Sequence, residues 1–465
     1  MPTQIEHLVV LMLENRSFDH MLGFMKQDNP VINGLNGDEW NYPASETDPT
    51  VVVSSDAADV NDLSPDPHHD FGDVTEQIFS NLDPTTAGDM RGFVRNYNTV
   101  AKDPVRARNV MKCFAKETLP VLYTLAQQYA VCDRWYASVP GSTIPNRMFV
   151  HGASSMGSVN QDAIDAPFLL TTIFESFDAT TPFDYRIYTA GSSILMANEF
   201  LIRNQDKFFA YSDFANDAKN GNLPAYTFIE PAYDDDGQGN FATSQHPDFP
   251  VDRGEGLIKD VYGALTKSPG WKSTLFLILY DEHGGIFDHV VPPAVQRQDS
   301  SAGLPDVPHS VDPPFDFTRL GVRVPAVFVS PCIQPNTVLN NRDYEHSSVV
   351  ATVRKLFCPG SQPFNWREAQ ANKFDDVLVL EGADVRNGPV ALPDPVVGDV
   401  AAIQAAAEVR TPTDLSVLIA RAMQYSSEAL GIAAPPQDIN DLNNAAAVCA
   451  YSDDAWRRLA AGGAG

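Results

Sequence analysis

The sequence predicts an α/β fold: a largely parallel central sheet covered by helices on both faces, with long loops over the carboxyl ends of the strands. Two observations predict it. Short apolar runs rich in Val, Leu and Ile recur along the chain, and helix-like segments stand between them. Within the runs there is no polar alternation, the mark of strands buried on both faces.

The first run, IEHLVVLML at 5–13, is short enough for a buried strand and stops at Glu14, Asn15 and Arg16. A helix is expected over 118–130, around LPVLYTLAQQYA, and a weaker strand in FDYRIYTAG at 183–191. A second helix around GEGLIKDVYGALT at 254–266 leads to the strand TLFLILY at 274–280, which ends at Asp281. VPAVFVSP at 324–331 is a further strand and HSSVVATVRKLF at 346–357 a further helix. The stretches 34–75 and 213–252 are rich in Asp, Asn, Pro and Gly and read as long excursions over the sheet. From about 385 the composition turns to Ala, Pro and Val, followed by Ala-rich helical segments at 400–424 and 440–461. The chain therefore divides into 1–384, which holds every candidate for chemistry, and an Ala/Pro-rich helical extension, 385–465.

At 465 residues, 43% of them hydrophobic, the chain can bury one large core or two moderate ones. A formal net charge of -28 opposes long-range attraction to nucleic acid or to an anionic membrane, and no basic stripe with interleaved aromatics offsets it. No run of about 20 apolar residues predicts a transmembrane helix. The start, MPTQIEHLVVLML, lacks a basic n-region and a cleavage site, so the chain as it stands reads as cytoplasmic, or as secreted or periplasmic if a leader preceded it. Five scattered cysteines without CxxC spacing imply neither a disulfide framework nor a thiolate zinc site.

In open α/β sheets ligands bind beyond the carboxyl ends of the strands. That rule selects Glu14 and Asn15 in ENRSFDH, two oxygen donors suited to a hard divalent cation, or else a polar strand end with a local ion pair to Arg16. It also selects DEHGGIFDHVVPP at 281–293, with Asp281, Glu282, His283, Asp288 and His289 within nine residues and Gly284-Gly285 to fold them back over the sheet. In PGSTIPNRMFVHG at 140–152 a hydroxyl meets a helix start, where it is either a nucleophile facing an anion held by the helix N-terminus or a simple cap. His69 in DPHHDF, His246 in QHPDF and His346 in YEHSS stand beside loops or helix starts, and His346 could be no more than a cap.

Taken in order, IEHLVVLMLENRSFDHMLGFMK, DPHHDFGDVTEQ, GSTIPNRMFVHGASS, HPDFPVDRGEGLIKDVYGAL, DEHGGIFDHVVPP and EHSSVVATVRKLF resemble the signature blocks of one phosphoesterase family, over about residues 4–380. That family contains the bacterial phosphatidylcholine-type phospholipases C, the plant non-specific phospholipases C and an acid phosphatase branch; the wording here is most similar to the non-specific phospholipases C. The resemblance implies an alkaline-phosphatase-like fold and hydrolysis of phosphate esters, phospholipid diesters foremost. The alternatives are a phosphomonoesterase of the same family and a non-catalytic phospho-ligand binding protein. It implies one divalent metal, be it calcium, magnesium, manganese or zinc, on Glu14, Asn15, Asp281 and Glu282, and Thr143 as metal-coordinated nucleophile. It further implies His69, with a register doubt of one against His68, and His246 at the phosphoryl group or its leaving oxygen. His283 and His289 are carried as additional candidates.

Overall fold

The structure is a computed structural model and describes residues 5–462 apart from 46, 58–62, 161–168, 192, 236–240, 248, 296–314, 387, 399–411 and 443. Its centre is one eight-stranded sheet. In chain order the strands are β1 (His7–Leu13), β2 (Ala130–Cys132), β3 (Tyr185–Thr189), β4 (Phe208–Ala210), β5 (Tyr226–Glu230), β6 (Thr274–Tyr280), β7 (Ala326–Val329) and β8 (Thr337–Leu339). In space they run β8-β2-β7-β6-β1-β5-β3-β4. All pairings are parallel except the two made by β7, which runs against both β6 and β2.

The two strands read with least ambiguity are the two at the middle. After His7 every residue of β1 is buried, as is all of β6, because each has a neighbour on both sides and helices above and below. Their register sets His7 against Thr274 and Leu13 against Tyr280. The residues that follow, Glu14-Asn15 and Asp281-Glu282, therefore leave the sheet side by side.

The expected excursion 213–252 is overturned in its first half. It contains the helix Tyr211–Asn220 and the whole of β5, an inner strand between β1 and β3. The helix buries only Phe214 and Ala218, so its sequence looks like surface loop. In β5, YTFIE, Thr227 and Glu230 interrupt the apolar run although all five residues are buried. Among its described residues, the stretch 34–75 holds the two-residue strands Trp40–Asn41 and Val51–Val52 before the helix Phe71–Ile78 starts.

The largest apolar cluster takes side chains from both faces of the sheet, and the C-terminal helices Asp414–Ala429 and Ala445–Gly462 add Leu415, Ile419, Met423, Val448 and Leu459 to it. Of the helical segment expected at 400–424, residues 400–411 lie outside the described residues. A second cluster, with Val74, Ile78, Phe93, Val94, Ile286 and Phe287, lies beneath the loop that follows β6. Leu277 sits at the centre of β6 with no exposed surface. Replacing it by Ala is expected to cost about 2–5 kcal/mol, read as a lower urea midpoint at unchanged m-value.

Candidate active site

Asn15, the second residue past β1, has φ 53°, a left-handed conformation that Asn tolerates better than most residues. Turned in this way, its backbone N–H donates to Asp281 Oδ1 at 3.0 Å, and the backbone N–H of Glu282 donates to the same oxygen at 2.8 Å. Gly284 and Gly285 both have positive φ, 66° and 65°. A Cβ on Gly284 would lie 2.2 Å from the carbonyl oxygen of Asn15, and one on Gly285 would lie 2.6 Å from that of His68. The glycine pair thus does more than allow the turn: it lets three site loops touch through their backbones.

Thr143 is the first residue of the helix Thr143–Gly152, and Ser142 holds the N-cap position. The capping reading of Thr143 therefore fails, and its hydroxyl donates to Asn15 Oδ1 at 3.3 Å. Asn146, the Asn of the Pro-Asn pair, braces the turn from within, its amide spanning Val139, Gly141 and Ser142. Arg147, one helical turn from Thr143 and on the same face, was not singled out from the sequence. It is buried and donates to Asp281 Oδ2 at 2.8 Å, to Tyr233 Oη at 2.7 Å and to the Leu13 carbonyl at 3.3 Å. Tyr233 in turn donates to Glu230 at the end of β5, at 2.9 Å.

This guanidinium is the counter-charge for a crowded acidic interior. Burial raises the Asp281 carboxyl and Arg147 lowers it, leaving it at about 6. Burial likewise pushes Glu14 well above the carboxylate range against the pull of Arg147. Oε1 of Glu14 and Oε1 of Glu282 are both buried without a hydrogen-bond donor. Buried carboxylate oxygens are costly unless a cation or donor meets them, so Glu14, Asn15, Asp281 and Glu282 fit a hard divalent ion both in donor chemistry and in unmet charge.

His69 faces this group. Its Nδ1 donates to the Pro67 carbonyl at 2.8 Å, and its Nε2 lies 3.4 Å from Asn15 Nδ2 and 3.7 Å from Glu282 Oε1. Burial disfavours its charge, but Glu282 and Asp66 outweigh burial and raise it to about 10. His68 is more than half exposed and turns to Asp73, which settles the orientation of the doublet. His246 is buried, with Nε2 3.5 Å from Asp66 Oδ2, and the same oxygen is 3.9 Å from His69 Nδ1. Asp66 between the two histidines was missed; its signal was the spacing of three residues before His69. Arg16 donates to the carbonyls of Gln245 at 2.7 Å and His246 at 3.2 Å.

The remaining histidines take other places. His283 stands behind Glu282, with Nδ1 3.3 Å from Glu282 Oε2 and Nε2 2.7 Å from Gln77 Oε1. His346 makes no capping bond; its Nε2 donates to the Asp281 carbonyl at 2.5 Å while its Nδ1 accepts from Trp135, and burial keeps it neutral, at about 4. His289 is not among the residues gathered around Thr143. With Asp19 and Asp288 it forms a group of metal-ligand type. That group is already occupied by the fully buried Arg323, which donates to Asp288 at 3.0 Å and to Asp19 at 2.9 Å. A guanidinium there supplies the positive charge and excludes a cation, so this is an ion-pair knot. It ties the segment after Asn15 to the loop after Glu282, with help from Ser17, whose hydroxyl donates to the Phe287 carbonyl at 2.6 Å.

Acids, a carboxamide and a helix-terminal hydroxyl converging at strand ends suit hydrolysis at phosphorus, and comparison with known proteins gives the class: this is a hydrolase of phosphate esters. Residues 5–358 match the model of the Phosphoesterase family, and the chain belongs to that family. It is similar to non-specific phospholipase C6 of Arabidopsis thaliana, 39% identical over 84% of this chain and 75% of that one. Phospholipase C B of Mycobacterium tuberculosis is 27% identical over 79% and 76%. Among solved structures, a protein in the alkaline phosphatase superfamily from Vibrio parahaemolyticus is 14% identical over 51% of this chain and 60% of that one, with a TM-score of 0.29, too slight a likeness to bear on the site.

Two expectations follow. Gly284→Ala forces a side chain onto the Asn15 backbone and displaces Asn15 and the acids at the strand ends, so turnover should fall by about 10²-fold or more; steady-state rates at wild-type melting temperature check this. Burial lowers His289, but Asp19 and Asp288 outweigh it and raise it above its ordinary 6.5. Burial raises Asp19, but Arg323 and His289 outweigh it and hold it below 3.8. The pair's stabilisation is therefore fully present between about pH 4 and 6.5, fading as pH rises through the raised His289 value or falls through the lowered Asp19 value. The melting-temperature gap between wild type and His289→Gln should be widest in that window and close above it; a gap independent of pH would contradict the assignment.

Proposed function

We propose that the enzyme cleaves phosphodiesters of phospholipid type in phospholipase C fashion, through a phospho-threonine on Thr143. The observation that carries this reading is the Thr143 hydroxyl bonded to Asn15 at 3.3 Å, at a helix N-terminus and beside two donor-less carboxylate oxygens. The names of the similar proteins support the diester class and the lipid substrate.

Glu14, Asn15, Asp281 and Glu282, with Thr143, would hold one divalent ion. When bound, it supplies positive charge to the non-bridging oxygens and lowers the pKa of the hydroxyl. Asn15 aims the Thr143 oxygen, and the backbone N–H groups at the start of the helix together with His69 orient the phosphoryl oxygens. The Thr143 hydroxyl gives up its proton to solvent, and its oxygen forms a bond to phosphorus in line as the bond from phosphorus to the alcohol oxygen breaks. His246 gives its proton to the departing alcohol, diacylglycerol for a phospholipid, and then takes one from the water that cleaves the phospho-threonine. Arg147 and His346 act through Asp281, which they hold from the side chain and from the carbonyl.

The test compares a chromogenic phosphocholine diester with the matching monoester. Diester cleavage should be faster, fall at least about 10³-fold in Thr143→Ala, and be lost to a chelator and restored by one of calcium, magnesium, manganese or zinc. Full activity of Thr143→Ala would sink the mechanism, and a monoester preference would move the enzyme to the phosphatase branch.

A further inference from the structure

Gln77 has no role in the chemistry above, yet its side chain is fully buried and every polar atom of its amide is engaged. It lies in the last turn of the helix Phe71–Ile78, which starts two residues after His69. Its Nε2 donates to the His68 carbonyl at 2.8 Å and to Asn96 Oδ1 at 2.8 Å. A backbone carbonyl only accepts, so this contact fixes which end of the amide is nitrogen. Asn96 is oriented in the same sense, its Nδ2 donating to Asp73 at 2.9 Å and to Glu76 at 3.0 Å. Gln77 Oε1 must then accept, and the group that donates to it, at 2.7 Å, is Nε2 of His283.

The relay continues toward the site. His283 Nδ1 is turned to Glu282 Oε2, which also accepts from the Gly284 N–H at 2.7 Å. With Oε2 held from two sides, the other oxygen, Oε1, is the one presented toward His69 at 3.7 Å and left without a donor. The opposite arm of Gln77 holds the peptide immediately before His69. One side chain thus registers the loop of Glu282 against the loop of His69.

We propose that Gln77 is a positioning residue for the metal site: through His283 it fixes the rotamer of Glu282 that exposes Oε1, and through the His68 carbonyl it fixes His69 opposite. A saturated polar amide inside an apolar cluster of Val74, Ile78, Phe93 and Phe287 is costly to build. An apolar side chain would fill the same space but could not hold two loops in one register. The inference rests on the reading that Glu282 binds a divalent ion.

The experiment titrates metal-free wild type, Gln77→Leu and Asn96→Ala with Mn²⁺ and with Ca²⁺ by calorimetry, alongside circular dichroism and ring ¹⁵N spectra of the histidines. Gln77→Leu is expected to weaken binding by about 10–100-fold and to lower kcat more than it changes KM. Asn96→Ala, which removes the anchor of Gln77 together with the bonds from Asn96 to Asp73 and Glu76, should weaken binding severalfold, and it decides the matter if Gln77→Leu does not fold. Affinity within twofold of wild type in a folded Gln77→Leu would overturn the proposal. If wild type binds neither ion, the metal reading fails instead, and the ring spectra judge the relay alone. A proton held on Nε2 of His283 in wild type and lost to exchange in the variant upholds it; identical spectra refute it.

Discussion

The parallel pairing of β1 with β6, in the register that sets Leu13 against Tyr280, is the constraint from which the site follows. A slip of one residue would exchange the faces of every side chain in a strand, and it would separate Asn15 from Asp281, whose contact begins the network. Because both strands are apolar throughout and covered on both faces, the register is held by packing. Beyond the backbone ladder, what side-chain hydrogen bonds and ion pairs add comes after the strands end. There Arg323, between Asp19 and Asp288, clasps the two departing segments a few residues further on. The acids thus lie between a packed sheet below and a closed ion pair above.

That placement explains how so many carboxylates share a dry interior. Arg147 reaches from the helix that begins at Thr143, so the element that presents the hydroxyl also brings the charge that steadies Asp281. The backbone carries part of the remainder, through the N–H groups of Asn15, Glu282 and Gly284. What stays unmet, one oxygen each on Glu14 and Glu282, is concentrated where a cation would serve chemistry instead of stability.

How much of this was legible in the sequence depends on where the information lies. β1 and β6 were readable because complete burial writes an uninterrupted apolar string. β5 was not, since Thr227 and Glu230 are polar letters satisfied only by distant partners, and β2, β4 and β8 have three residues each, too short for a period to register. At the strand ends, the density of ligand-type residues at 14–15 and 281–289 pointed to chemistry, but not to which histidine would turn away. His289 was drawn aside by Arg323, thirty-four positions downstream. Taken alone, the letters around Thr143 fit a cap; only the coordinates give that place to Ser142. Arg147 and Gln77 act through partners remote in the chain, and no local pattern announces such residues; Asp66 left only its spacing from His69 as a sign.

The distance along the chain between the two halves of the site has a biological side. Asn15 and Asp281 touch across 266 positions of sequence, and the intervening stretch contributes Thr143, His69 and His246. Chains emerge from the ribosome amino-terminus first, so a nascent polypeptide carries Thr143 and His69 well before β6, and His246 shortly before it, with the second pair of acids arriving last. Until then β1 can pair with β5 on one side, but Glu14 and Asn15 at its end stand without Asp281 and Glu282. A product truncated before β6 would lack Asp281, Glu282 and the strand that delivers them beside Glu14 and Asn15.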